Sequence, residues 1–187
     1  MSTAGTLYDD TIKNGYAKLL NISTVSTPVT SIDLSCAYAG YDSYLFELDQ
    51  LFLDNCMLLL RASGDNGATY PTTGCQWVLH TMFLGEGPAI YRSYANGTLG
   101  VYDYTQISHV AFPANAISGR VRLTTDQRSN ILFKTAGVHP ANLEQLNWGC
   151  SYIDGLGGPI NKLRFFPHGG GSFSAGTIRT YGFRTGA

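Results

Sequence analysis

Glu47 and Asp49 are the residues of this chain best placed by type and spacing to do chemistry: two positions apart on a strand, they project from one face, as the paired carboxylates of a glycoside hydrolase must. Beside Leu45 and Leu51 at a strand end, the same pair reads more simply as a solvated structural feature. The histidines, His80, His109, His139 and His168, are spread along the chain, and none stands at metal-ligand spacing from another. The cysteines, at 36, 56, 75 and 150, are too far apart for a Cys-x-x-Cys knuckle and read as free, buried thiols. Ser151 and Ser172 follow glycines without forming Gly-x-Ser-x-Gly, and His168-Gly-Gly-Gly-Ser does not continue into a phosphate loop. The residue types thus predict no enzyme, no metal site and no cofactor.

Binding chemistry is better represented. Tyr91, Tyr94, Tyr102 and Tyr104 lie in a tyrosine-rich segment, Ile90 to Tyr104, interrupted by Asn96-Gly97, which predicts an exposed hairpin. Each ring offers an apolar face and a hydroxyl, so the four are candidates for a protein- or glycan-contacting platform, with cross-strand aromatic pairing as the plainer account.

The elements that must position these residues are short strands. Charged residues are 13% of the chain, against an average of about 25%, and 22 glycines and 12 tyrosines take their place. That composition suits an all-β fold in one domain, which 187 residues can form around a single core. Strands are expected over 18–26, 29–36, 44–48, 56–62, 76–84, 118–124, 130–135, 146–153, 160–166 and 177–183. The segment 56–62 is apolar on both faces and should be packed on each side. In 76–84, Trp77, Leu79, Thr81 and Phe83 face one way and Val78, His80, Met82 and Leu84 the other. Asp65-Asn66-Gly67 predicts a tight reversal, and the glycine-rich stretch 168–176 predicts a turn closing a terminal hairpin. The expected fold is an antiparallel two-sheet sandwich, jelly-roll-like, over residues 17–187. Residues 1–16, in which Tyr8, Ile12 and Tyr16 are the apolar contacts, are expected to form an extended arm to a neighbouring subunit.

Twelve basic and thirteen acidic residues give a net charge of −1, which offers no field to gather nucleic acid or anionic lipid. The first twenty residues do not read as a signal peptide and no window is long enough to span a membrane, so synthesis in the cytoplasm is expected. Sparse charge favours association with other proteins.

Two stretches carry a family resemblance. Tyr41-Asp42-Ser43-Tyr44-Leu45-Phe46, then Met57-Leu58-Leu59-Leu60-Arg61 and the turn Gly64-Asp65-Asn66-Gly67, resemble the opening of a β-sandwich module of tailed-bacteriophage virion proteins. Lys162-Leu163-Arg164-Phe165-Phe166 and Gly176-Thr177-Ile178-Arg179-Thr180-Tyr181-Gly182-Phe183, on either side of a glycine/serine turn, resemble its close. The likeness covers about residues 18 to 184 and is made of strand and turn residues. It implies a structural protein of the virion, docked on capsid or tail as a decoration, cement or adaptor protein beside other virion proteins. Such a setting implies a homo-oligomer, for instance a trimer. The alternative is a receptor-binding module for a host cell-surface glycan.

Overall fold

The computed structural model describes residues 17–53, 56–71, 74–84, 90–96, 104–108, 116–124, 130–138, 144–153 and 156–184, with 90–92, 94–96, 130 and 138 described as backbone alone. These residues form strands β1 (Ala17–Val25), β2 (Ile32–Ser35), β3 (Ser43–Leu53), β4 (Leu58–Ser63), β5 (Cys75–Leu84) and β6 (Ile90–Asn96). After them come β7 (Thr105–Gln106), β8 (Ala116–Thr124), β9 (Asn130–Val138), β10 (Glu144–Ile153), β11 (Lys162–Pro167) and β12 (Phe173–Phe183).

The strands make two antiparallel sheets packed face to face: a large one in the order β1-β12-β3-β8-β9-β10-β5-β6 and a small one in the order β2-β11-β4-β7. The chain is an all-β sandwich. Strands β1, β12, β3 and β8 of the large sheet and the four small-sheet strands supply most of the core. The pairs β5–β6 and β9–β10 extend the large sheet on one side as a wing.

Alternation explains which residues fill the space between the layers. Tyr44, Phe46 and Leu48 of β3, Val121 and Leu123 of β8 and Ile178 of β12 are buried on the inner face of the large sheet. Leu34, Leu58, Leu60, Ala62, Leu163 and Phe165 answer them from the small one. Phe46 and Phe165 meet edge to face across the core, with ring centroids 6.0 Å apart. Tyr44 is buried with them, and its hydroxyl holds the 38–41 loop by accepting from the Tyr38 N–H at 3.2 Å and donating to the Tyr41 carbonyl at 3.1 Å. Strand β4 is buried on both faces: Leu58 and Leu60 point to the core, while Leu59, on the outer face and in register with Phe166 and Gln106, is only 1% exposed.

The expected closing hairpin is not a hairpin. The closing segments β11 and β12 belong to different sheets: β11 pairs with β2 and β4, and β12 with β1 and β3. Between them a 3-10 turn, His168–Gly170, with Gly169 and Gly170 at φ 73° and 82°, lifts the chain from one layer to the other. The crossing lets Phe165 and Phe173 enter one core from opposite sides. The return of the expected Ile90 to Tyr104 hairpin, residues 97–103, lies outside the described residues. Strand β6 pairs with β5, and β7 pairs with β4 in the small sheet.

The reversal at Asp65-Asn66-Gly67 is present, with Asn66 and Gly67 at φ 61° and 84°. It leads from the small sheet toward the large one instead of joining two strands of a single sheet.

Candidate interaction surfaces

Glu47 and Asp49 do share the outer face of β3, and a cation spans them. Arg179 of β12 places Nη1 3.0 Å from Asp49 Oδ2 and 3.9 Å from Glu47 Oε2, and Arg120 of β8 stands 3.9 Å from Glu47. The Tyr181 hydroxyl adds a donor to Glu47 at 3.5 Å. Asp49, first, and Glu47 raise the Arg179 pKa. Each exposed pair of this kind contributes about 0–1 kcal/mol, so the cluster sets strand-to-strand complementarity more than stability. The two carboxylates are thus held as counter-charges to Arg179 and Arg120.

The outer face of the small sheet carries a second ionic cluster. Arg164 grips Asp33 with two parallel bonds of 2.7 Å, and the two are cross-strand partners. Tyr70, from the loop after β4, lies over Arg164 at 4.2 Å and donates to Asp33 at 3.3 Å. The hydrogen bonds from Arg164 hold the Asp33 carboxyl below its usual range, and burial beside Asp33 pushes the Tyr70 hydroxyl up to about 12. In the same outer layer Arg61 lies 4.6 Å over the Phe166 ring.

Asp65 organises the loop that carries Tyr70. Its carboxylate accepts from the Ser63 hydroxyl at 2.6 Å and from the Thr69 N–H and hydroxyl at 2.9 and 2.6 Å. The loop is also tied to Asn161, which accepts from the Asn66 N–H and donates to the Gly64 carbonyl. These donors, Ser63 first and then Thr69, lower the Asp65 pKa to about 2. Because the folded value lies below the unfolded value of about 3.9, the stabilisation is present above pH 4 and disappears as pH falls through 2. Acid titration of the melting temperature should therefore fall more steeply between about pH 4 and 2 in the wild type than in Asp65→Asn. Parallel curves would show that the loop bonds do not favour the charged form.

The wing holds a feature that sequence reasoning missed. Strand β10 is patterned inside out: Gln145, Asn147 and Ser151 face inward and are buried, while Leu146, Trp148, Cys150 and Tyr152 face outward. The inward groups bond one another and the neighbouring strands. Asn147 Oδ1 accepts from Thr81 at 2.8 Å and from Gln145 at 2.7 Å, and its amide donates to Thr135 at 3.3 Å. Thr135 donates to the Ile107 carbonyl at 2.8 Å, and the Thr105 and Ser151 hydroxyls share a bond.

With its polar residues turned inward, β10 presents Leu146, Trp148 and Tyr152 on the outer side of the wing, where Trp148 lies between His80 and Lys134. Trp148 stacks on His80 with centroids 5.8 Å apart and ring planes at 23°. Met82 is in register with Leu146, and Val78 with Cys150, so apolar side chains line both flanks of that stack. Leu132, also outward, is 52% exposed on β9.

Of the proposed tyrosine platform, positions 91 and 94 are described as backbone alone. The register sets position 91 opposite Met82 on the outer side of the wing and position 94 opposite Leu79 on the inner side. Tyr104 stands against His168 near the small sheet, with centroids 6.5 Å apart, and Tyr102 lies outside the described residues. So do Tyr8, Ile12 and Tyr16 of the expected arm, and His109 and His139. Cys36, Cys56 and Cys75 are buried, Cys150 is exposed, and burial pushes the Cys36 thiol far up. Among the described residues no three His, Cys, Asp or Glu converge as a metal-holding group. No family model, curated protein or solved structure matches this chain, so its surfaces are read from their geometry.

Proposed function

We propose that this chain is a non-enzymatic structural protein of a tailed-phage particle, docking on the capsid or tail surface as a decoration, cement or adaptor protein. The docking face in this reading is the outer side of the wing, centred on Trp148. One observation carries it: β10 turns Leu146, Trp148 and Tyr152 outward and spends its buried face on Gln145, Asn147 and Ser151. A free-standing sandwich gains stability from the opposite arrangement. The reversal is reasonable where the outer side is itself to be covered by another protein, and Trp148, between His80 and Lys134 with apolar pairs on either flank, is an aromatic anchor of the kind that centres such contacts.

The strand order supports a jelly-roll reading of the scaffold. Strands β1-β12-β3-β8 facing β2-β11-β4-β7 correspond in order to the eight strands of that fold. The pairs β5–β6 and β9–β10 are then additions that build the wing. Jelly rolls occur in viral capsid and lectin domains alike, so the assignment to a particle draws on the sequence resemblance and not on the fold. Residues 1–16 keep their expected role as an arm.

Electron microscopy of phage particles carrying the protein should place it at symmetry-related surface sites. Trp148→Arg should leave the circular dichroism spectrum unchanged and weaken attachment by about 2 kcal/mol or more, roughly thirtyfold. Full occupancy by the variant would remove the wing as the docking face. Binding to a glycan array without attachment to particles would favour the receptor-binding alternative.

A further inference from the structure

We propose that β1 is a self-pairing edge, through which two copies of this chain join antiparallel about a two-fold axis and run their large sheets into one. This goes beyond the docking reading and uses the opposite edge of the sheet from the wing.

Among the described residues, four strands end the sheets: β1 and β6 on the large one, β2 and β7 on the small one. Natural edges are guarded by shortness, charge, proline or a bulge, because a row of unpaired N–H and C=O groups is a template for another strand. Three of these four follow the rule. Strand β7 has two residues; β2 has four and carries Asp33 in its ion pair; β6 has Arg92 within its sequence. Strand β1 has nine residues, and its only charge, Lys18, and its register shift, at Leu20, both sit near its start. From Asn21 to Val25 it runs in unbroken register on β12 with no charge and no proline. The described residues include three exposed large hydrophobics, and two of them, Leu19 at 43% and Ile22 at 55%, lie on this strand.

A second copy is the occupant these features select. Only an extended strand satisfies an open edge, and every pairing in both sheets is antiparallel, so an antiparallel strand continues the existing geometry. A charge-selected partner would need a charged edge to read. Leu19 to Val25 offers none, and two copies meet there without repulsion. Antiparallel pairing of a strand with itself is isologous, bringing Ile22 of each copy onto the outer face of the other's β1 and closing at two subunits.

Sedimentation equilibrium of the full chain over a concentration series should show a reversible dimer, and hydrogen exchange should show β1 amides gaining protection as the dimer forms. Ile22→Lys sets like charges against each other across the axis and should weaken dimerisation at least about tenfold with the melting temperature preserved. Leu132→Lys, at an equally exposed leucine on β9, should leave it unchanged. If Ile22→Lys does not fold, Thr24→Lys, exposed on the same side of β1, carries the same test. A wild type that stays monomeric, equal weakening by the β1 and β9 variants, or a dimer whose β1 amides exchange freely would each overturn the proposal. Trp148→Arg should leave the dimer intact, so the failure of either reading is distinguishable from failure of the other.

Discussion

Phe165→Ala should lower the unfolding free energy by about 3–5 kcal/mol, read from urea denaturation of the wild type and variant side by side. Phe165 is fully buried at the middle of β11, held in register by Ile32 of β2 on one side and Leu60 of β4 on the other. Its ring meets Phe46 of the facing sheet. Losing the ring opens a cavity between two hydrogen-bonded layers, and neither can sag into it without breaking ladder bonds, so the loss should sit toward the upper end of the range. Phe165→Leu keeps most of the volume and should cost less than half as much. Phe166→Ala is the informative neighbour. That ring lies on the outer face under Arg61, so the variant forfeits a cation–π contact of about 0.5–1 kcal/mol and a half-buried surface, but opens no central cavity. A loss below about 1 kcal/mol for Phe165→Ala would mean that the centre of the fold lies elsewhere.

The contrast between adjacent phenylalanines shows what the sequence makes legible. Period-two alternation identifies residues that share a face, and on β5 and β8 it divides them as the structure does: Trp77, Leu79, Thr81 and Phe83 inward, Arg120 and Arg122 outward. Alternation does not say which face is the inner one when both are mixed. On β10 the pattern is equally regular, yet the polar set goes inside because Asn147, bonded to Gln145, meets Thr135 on the preceding strand and Thr81 on β5, remote in the sequence. Partners are hidden for the same reason. A glycine-rich link between two alternating segments reads identically whether it closes a hairpin or carries the chain between layers, and β11 and β12 take the second course. The shared face of Glu47 and Asp49 follows from spacing alone. What neutralises them, Arg179, lies far along the chain and enters only through the β3–β12 pairing.

Asn147→Ala is expected to cost about 2–5 kcal/mol, since it strands the Thr81 hydroxyl and the Gln145 amide in a buried layer at about 1–3 kcal/mol each. Thr135 keeps its bond to the Ile107 carbonyl and adds little to the loss. The Gln145 Oε1 atom is buried without a hydrogen-bond partner among the described residues even in the wild type, so this layer has little slack to absorb a further orphan. Replacing the three bonded groups together, as Thr81→Val, Gln145→Met and Asn147→Leu, removes the orphans and should recover most of the stability lost in the single variant. That recovery would show that the polar layer is not what holds the wing together. Its consequence would then lie on the other side of the sheet. Polar residues committed to the interior of β10 fix which of its faces points outward, and so keep Leu146, Trp148 and Tyr152 where a partner can reach them. A single variant that loses less than about 1 kcal/mol would mean that water readily replaces the amide, and the layer would have no claim to orient the strand.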